Sequence, residues 1–93
     1  EFSCIPFTTL GSALEDPALV EILILDQLDV EDANKICHLK LLRELVLRDT
    51  TLTSLPKCLK KLNHLRLLDV RGTNIGASGL ETFKKGRDLV ILH

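Results

Sequence analysis

The chain contains no Trp, Tyr or Met and only three Phe in 93 residues. That leaves no aromatic platform on which bases or sugars could stack. It also obliges the 45% of hydrophobic residues to build an aliphatic core, mostly of Leu and Ile. No apolar run approaches the ~20 residues needed to span a bilayer, and no secretory leader is recognisable at the start. Both ends read as those of a fragment of a longer protein. Cysteine is sparse: Cys4, Cys37 and Cys58 form no pair-spaced framework. Such an odd count fits a reducing compartment and predicts a cytoplasmic or otherwise intracellular location.

Signs of catalytic or metal chemistry are missing too. His38, His64 and His93 accompany those cysteines, but no C-x-x-C or H-x-x-x-H spacing gathers them into a ligand set. Cys37 and His38 are sequence neighbours pointing different ways, which argues against a Cys–His nucleophile. Gly72, Gly76 and Gly79 lack the Lys-Ser/Thr that follows a phosphate loop, and read as turn and helix-entry glycines. The expectation is a protein without enzymatic activity, cofactor or metal. Cys37 and Cys58 are expected as small core residues in different columns of the fold.

What is present is a leucine spacing that recurs. Leu42, Leu45, Leu47, Thr50 and Leu52 make L-x-x-L-x-L-x-x-T-x-L, and Leu65, Leu68, Val70, Thr73 and Ile75 repeat it 23 residues later. A fourth start falls at Leu89, with Leu92 three residues on. Upstream, the apolar run from Leu19 to Leu25 allows two registers. Ile36, Leu59 and Phe83 each precede the next repeat's first leucine by six residues, as Leu14 precedes Val20. This favours Val20, Leu23, Leu25, Leu28 and Val30 as the inward set, with repeat lengths of 22, 23 and 24. The expected organisation is an end of a preceding repeat or cap over 1–19, repeats at 20–41, 42–64 and 65–88, and a partial repeat at 89–93. Between the strands, 55–62 suits a turn of helix or 3-10 helix after Pro56. Residues 77–86 suit a short α-helix with Leu80 and Phe83 inward, closed by Gly86. Asp32 to Cys37 and Leu10 to Leu14 read as further short helical segments. Thr50 and Thr73 can satisfy backbone groups where each strand enters its loop.

The segments L-L-R-E-L-V-L-R-D-T-T-L (41–52), L-P-K-C-L-K-K-L-N-H-L (55–65) and L-R-L-L-D-V-R-G-T-N-I (65–75) resemble the leucine-rich-repeat superfamily. Within it, 55–75 looks most like the repeats of plant intracellular immune receptors. The following G-L-E-T-F-K-K-G looks more like helix-bearing repeats of bacterial and protozoan proteins. The resemblance implies an α/β leucine-rich-repeat solenoid, with a curved parallel sheet on the concave side and short helices or 3-10 turns on the convex side. It also implies protein–protein recognition within a larger protein. The alternatives are a structural spacer without external ligand, and the substrate-recognition arm of a ubiquitin-ligase-type assembly or bacterial effector.

Side chains alternating with the inward leucines should face the concave side. The expected partner-binding residues are Asp26, Arg43, Glu44, Val46, Arg48, Arg66, Leu67, Asp69, Arg71 and Ile91. Their columns read Asp26, Arg48, Arg71; Ile22, Glu44, Leu67, Ile91; and Ile24, Val46, Asp69, His93, with Arg48 neutralised by Asp26. Residues 1–34 carry eight acids and no Lys or Arg, whereas 35–93 carry twelve basic residues against five acids. Stacked repeats keep sequence order in space, so the basic end is expected to meet an acidic protein partner or the next part of the same protein. Lys57, Lys60, Lys61, Lys84, Lys85 and Arg87 fall on the return side, a solvated lysine surface rather than a nucleic-acid or membrane site. The strand edge near 89–92 offers a route to self-association.

Two outcomes test this reading. Leu45→Asp or Leu68→Asp should abolish the cooperative thermal melt by burying an unpaired charge; a melt matching wild type would refute the register. Arg48→Glu with Arg71→Glu is expected, on the sequence alone, to spare folding and abolish partner binding.

Overall fold

The computed structural model describes residues 6–26, 28, 30–48 and 52–93. Cys4, Gln27, Asp49 and Thr50 lie outside this set, as does the side chain of Val30. Four strands, β1 (Ile22–Leu25), β2 (Glu44–Leu47), β3 (Leu67–Asp69) and β4 (Val90–Leu92), form one parallel sheet in sequence order. The return segments hold α1 (Leu10–Glu15), α2 (Val30–Ala33), α3 (Ala77–Lys84), and 3-10 turns at Pro17–Leu19, Asn34–His38 and Lys57–Lys61.

The repeated leucines dictate this arrangement. Parallel neighbours need a crossover, and a return segment between equivalent strands supplies it while bringing its own apolar residues back onto the sheet. Leu23, Leu25, Leu45, Leu47, Leu68 and Val70 from the strand side join Ile36, Leu59, Leu80 and Phe83 from the return side in one buried cluster. Val20 is fully buried while Leu19 is 70% exposed, so the favoured register of the first repeat is the one adopted.

The backbone ladder carries the repeat from strand to strand. The Glu44 N–H donates to the Glu21 carbonyl at 3.0 Å, Leu67 to Arg43 at 3.1 Å and Val90 to Arg66 at 2.9 Å. Ile22, Glu44, Leu67 and Val90 are therefore equivalent, and the ladder advances by 22, 23 and 23 residues. The expected final step of 24 is one too long. Leu89 is buried as the leucine spacing anticipated, but it sits one ladder position later than Leu65 does. At the other edge, Phe7 bridges Leu23 in parallel: its N–H donates to the Ile22 carbonyl at 2.9 Å, and the Ile24 N–H donates to its carbonyl at 2.8 Å. Phe7 thus extends the ladder one residue ahead of β1, a contact the leucine spacing did not signal.

The turns follow local chemistry. Thr73 Oγ1 donates to the Val70 carbonyl at 2.6 Å and accepts from the Ile75 N–H at 3.4 Å, the donor-and-acceptor role expected of a Thr there. The 3-10 turn at Lys57–Lys61 starts after Pro56, whose extended backbone caps it. Beyond α3, Gly86 takes a φ of 75°, a left-handed conformation that glycine adopts without Cβ strain.

Two side-chain devices tie successive return segments together. Arg87 donates to the carbonyls of Lys60 (3.0 Å) and Leu62 (2.6 Å) at the end of the preceding 3-10 turn, with its guanidinium 4.9 Å from the Phe83 ring centroid. It therefore leaves the group of free return-side cations in which it was expected. Cys37 and Cys58 are disulfide-bonded, with Cα atoms 5.9 Å apart. This corrects the expectation of two unconnected core cysteines. They lie 21 residues apart on facing 3-10 turns, where a period of 22 or 23 residues stacks one turn on the next. The pairing also removes the cysteine count as an argument for a reducing compartment.

Replacing Thr73 by Val should lower stability by about 1 kcal/mol, a typical net hydrogen-bond contribution, whereas Thr73→Asn should retain most of it. Chemical denaturation of the two variants checks this. Equal losses for both would show that the side-chain bonds at this turn contribute nothing.

Candidate functional site: the open face of the sheet

The return segments cover one face of the sheet and leave the other open. Along each strand, residues between the core leucines point to that open face. One column reads Ile22, Glu44, Leu67, Val90 and the next Ile24, Val46, Asp69, Leu92. Asp26, Arg48 and Arg71 follow one step beyond the second column. Neighbouring strands lie ~4.8 Å apart, so side chains within a column touch or screen one another.

Most of the sequence-predicted residues come together here. Glu44 and Leu67 are half-buried, and Val46 is 8% exposed although it stands apart from the core cluster. Arg43 lies at the start of β2 and pairs with Glu21 at 3.4 Å, and Arg66 at the start of β3 approaches Asp88 at 3.8 Å. Both pairs are exposed and of the kind that contributes little to stability. Asp26 is exposed after β1.

Ile91 is the exception. The one-residue shift of β4 sets it opposite Leu68, and it packs against the core. Because strand side chains alternate, a slip of one residue exchanges the faces. Val90 and Leu92 take the open-face positions, and Leu92 rather than His93 stands beside Asp69. In the sequence Leu92 reads as inward because Leu89 and Leu92 fit the leucine spacing, and the unbroken apolar run over 89–92 leaves periodicity no means of choosing a face.

Asp69 organises the centre of this face. It is 2% exposed, a burial that a carboxylate tolerates only when paired and hydrogen-bonded. Arg71 meets it with Nε on Oδ1 at 3.0 Å and Nη2 on Oδ2 at 2.8 Å, and the Arg71 backbone N–H adds a third bond at 3.1 Å. Arg48 Nη2 reaches Oδ2 from the neighbouring strand at 3.4 Å. The expected neutralisation of Arg48 by Asp26 is thus replaced by a shared carboxylate one strand further on. Hydrogen bonds from Arg71 outweigh the cost of burial and, with Arg48, lower the Asp69 pKa from 3.8 to about 2. The same bonds raise the pKa of Arg71. Both guanidinium side chains remain 55% exposed. Since Arg71 is the bidentate partner of a buried acid, Arg48→Glu with Arg71→Glu would surround Asp69 with like charge. The expectation that this pair spares folding is withdrawn; Arg48 alone can be changed with the Asp69–Arg71 pair intact.

Among the described residues, no group of three or more His, Cys, Asp or Glu side chains could hold a metal ion. The arrangement is a surface of aliphatic columns beside two positioned guanidinium groups.

Sheet order, leucine core and return turns match the leucine-rich-repeat fold, and comparison with known proteins supports a relationship to that superfamily. No family model matches the chain. Over 56 residues, 60% of the chain, it is 45% identical to Receptor-like protein 1 of Arabidopsis thaliana. A leucine-rich-repeat protein of Leptospira interrogans superposes on 77% of the chain with a TM-score of 0.56 and 27% identity. The aligned region spans 5% of the plant protein and 18% of the bacterial chain. The chain is related to the leucine-rich-repeat superfamily, and its fold is in general that of a protein-interaction module, typically a non-enzymatic scaffold.

Asp69 makes an acid-side contribution to stability. Its folded pKa lies below its unfolded value, so the stabilisation is present at neutral pH and is lost progressively as pH falls from about 5 through the folded pKa of about 2. A shift from 3.8 to about 2 corresponds to about 2 kcal/mol. Asp69→Asn should lose this amount at pH 7, and its stability should converge with wild type only as pH falls below about 2. Parallel stability–pH curves for the two proteins would contradict the pairing.

Proposed function

We propose that the chain is a protein–protein recognition segment of a larger protein, binding an acidic and partly apolar stretch of its partner on the open sheet face. The observation that supports this most is the Arg48–Asp69–Arg71 cluster standing beside the aliphatic residues Ile24, Val46, Leu67 and Leu92. Asp69 accepts from part of each guanidinium. Each arginine has five N–H donors, so donors remain for a ligand carboxylate. The fixed carboxylate holds both side chains in place before binding, which reduces the ordering cost of association. The three groups together carry a net positive charge, which favours an acidic partner. The aliphatic columns and the lack of Trp and Tyr favour a protein over a nucleic acid. A receptor-like name for the plant relative agrees with a recognition role.

Panning a random peptide library on the immobilised chain tests this. Enriched peptides should combine Asp or Glu with aliphatic residues. Arg48→Ala and Leu67→Ser should each weaken their binding about tenfold or more, while Lys61→Ala on the return side should not. Failure to enrich any peptide would favour the structural-spacer reading, and equal loss from Lys61→Ala would move the site off the open face.

A further inference from the structure

The two return-side ties differ in one respect: the one made by Arg87 does not depend on redox conditions, and the one made by cysteines does. We propose that Cys37–Cys58 is a redox-responsive staple. It would lock the return turns Asn34–His38 and Lys57–Lys61 together when oxidised and release them as a dithiol.

Geometry carries the argument. On the sheet side, the spacing between these repeats is fixed by the β1–β2 ladder. On the return side, the turns Asn34–His38 and Lys57–Lys61 pack against each other without being part of any sheet. The cysteines sit one in each turn, with their Cα separation of 5.9 Å inside the usual range for a disulfide. Closure therefore needs no rearrangement of the folded chain. Neither cysteine belongs to the fully buried core, as both are half-buried. Ile36 and Leu59 beside them are fully buried. They hold the turns in register whether or not the sulfurs are bonded, so opening the bond loosens the stack without dispersing the core. The basic residues Lys57, Lys60 and Lys61 around Cys58 give an anionic thiol reagent a favourable approach.

The step is thiol–disulfide exchange with a small-molecule disulfide. One cysteine thiolate attacks the reagent's S–S bond, forming a mixed disulfide and releasing one reagent thiol. The second cysteine thiolate then attacks the first cysteine's own sulfur, closing Cys37–Cys58 and releasing the other reagent thiol. Two electrons pass from the cysteine pair to the reagent, and the two cysteine protons leave on the two thiols formed. Reduced reagent runs the sequence backwards.

The test is to equilibrate the 93-residue chain, with Cys4→Ser to prevent scrambling, across ratios of reduced to oxidised glutathione. Free thiols are trapped by alkylation, linked peptides are quantified by mass spectrometry, and each sample is melted. The expected result is an intramolecular Cys37–Cys58 link that rises with the oxidised fraction and raises Tm by about 10 °C. The folded circular-dichroism spectrum should be present at both extremes. Cys37→Ser should lose the redox dependence of Tm. Two cysteines that stay alkylated at every ratio would overturn the proposal, as would a link that forms without changing Tm, or a reduced chain that is already unfolded. The proposal is independent of what the open face binds.

Discussion

No repeat of this chain can bury its own apolar face, and the architecture follows from that constraint. The strands contribute inward aliphatic side chains, and the return segments add apolar residues of their own. The cluster closes only because neighbouring repeats share it. The backbone ladder fixes the step, with equivalent amides such as Glu44, Leu67 and Val90 donating across to the preceding repeat. Phe7 at one edge and β4 at the other follow the same pattern. Side-chain ties add to this frame on the return side and leave the opposite face free.

That freedom explains the position of Asp69. The column it occupies contains Ile24, Val46 and Leu92, so a carboxylate there loses hydration with no apolar gain in return. Two arginines, one from its own repeat and one from the preceding repeat, offset the loss. The consequence is a pair of guanidinium groups whose positions are set by the fold, on a surface otherwise made of short aliphatic side chains. Stability and the proposed recognition are joined at that carboxylate, because the group that keeps Asp69 charged is also the group presented to solvent.

Much of this was legible in the sequence because a repeated position is a repeated environment. Leu45 and Leu68 announce the same inward site, and Thr73 announces a loop entry whose hydroxyl bonds the structure bears out. The alternation rule then placed Arg48, Asp69 and Arg71 on one face. Three things were not legible. The shift of β4 was hidden because Leu89, Val90, Ile91 and Leu92 are all apolar, so periodicity cannot choose a face. The sharing of Asp69 by two arginines depends on side-chain reach, and column order alone suggested Asp26 instead. The Cys37–Cys58 pair was missed because the two residues hold diagonal, not identical, places in successive turns: Cys37 follows the buried Ile36, whereas Cys58 precedes the buried Leu59.

The central claim is that the stacked repeats form one cooperative body through the ladder and its shared core. Native-state amide hydrogen exchange tests it most directly. The account predicts that the Glu44, Leu67 and Val90 amides exchange through a common opening, with similar protection that falls together as denaturant is added. A Val90 amide exchanging like an unprotected peptide while Glu44 stays protected would contradict it, because β4 would then not belong to the sheet on which the open face depends.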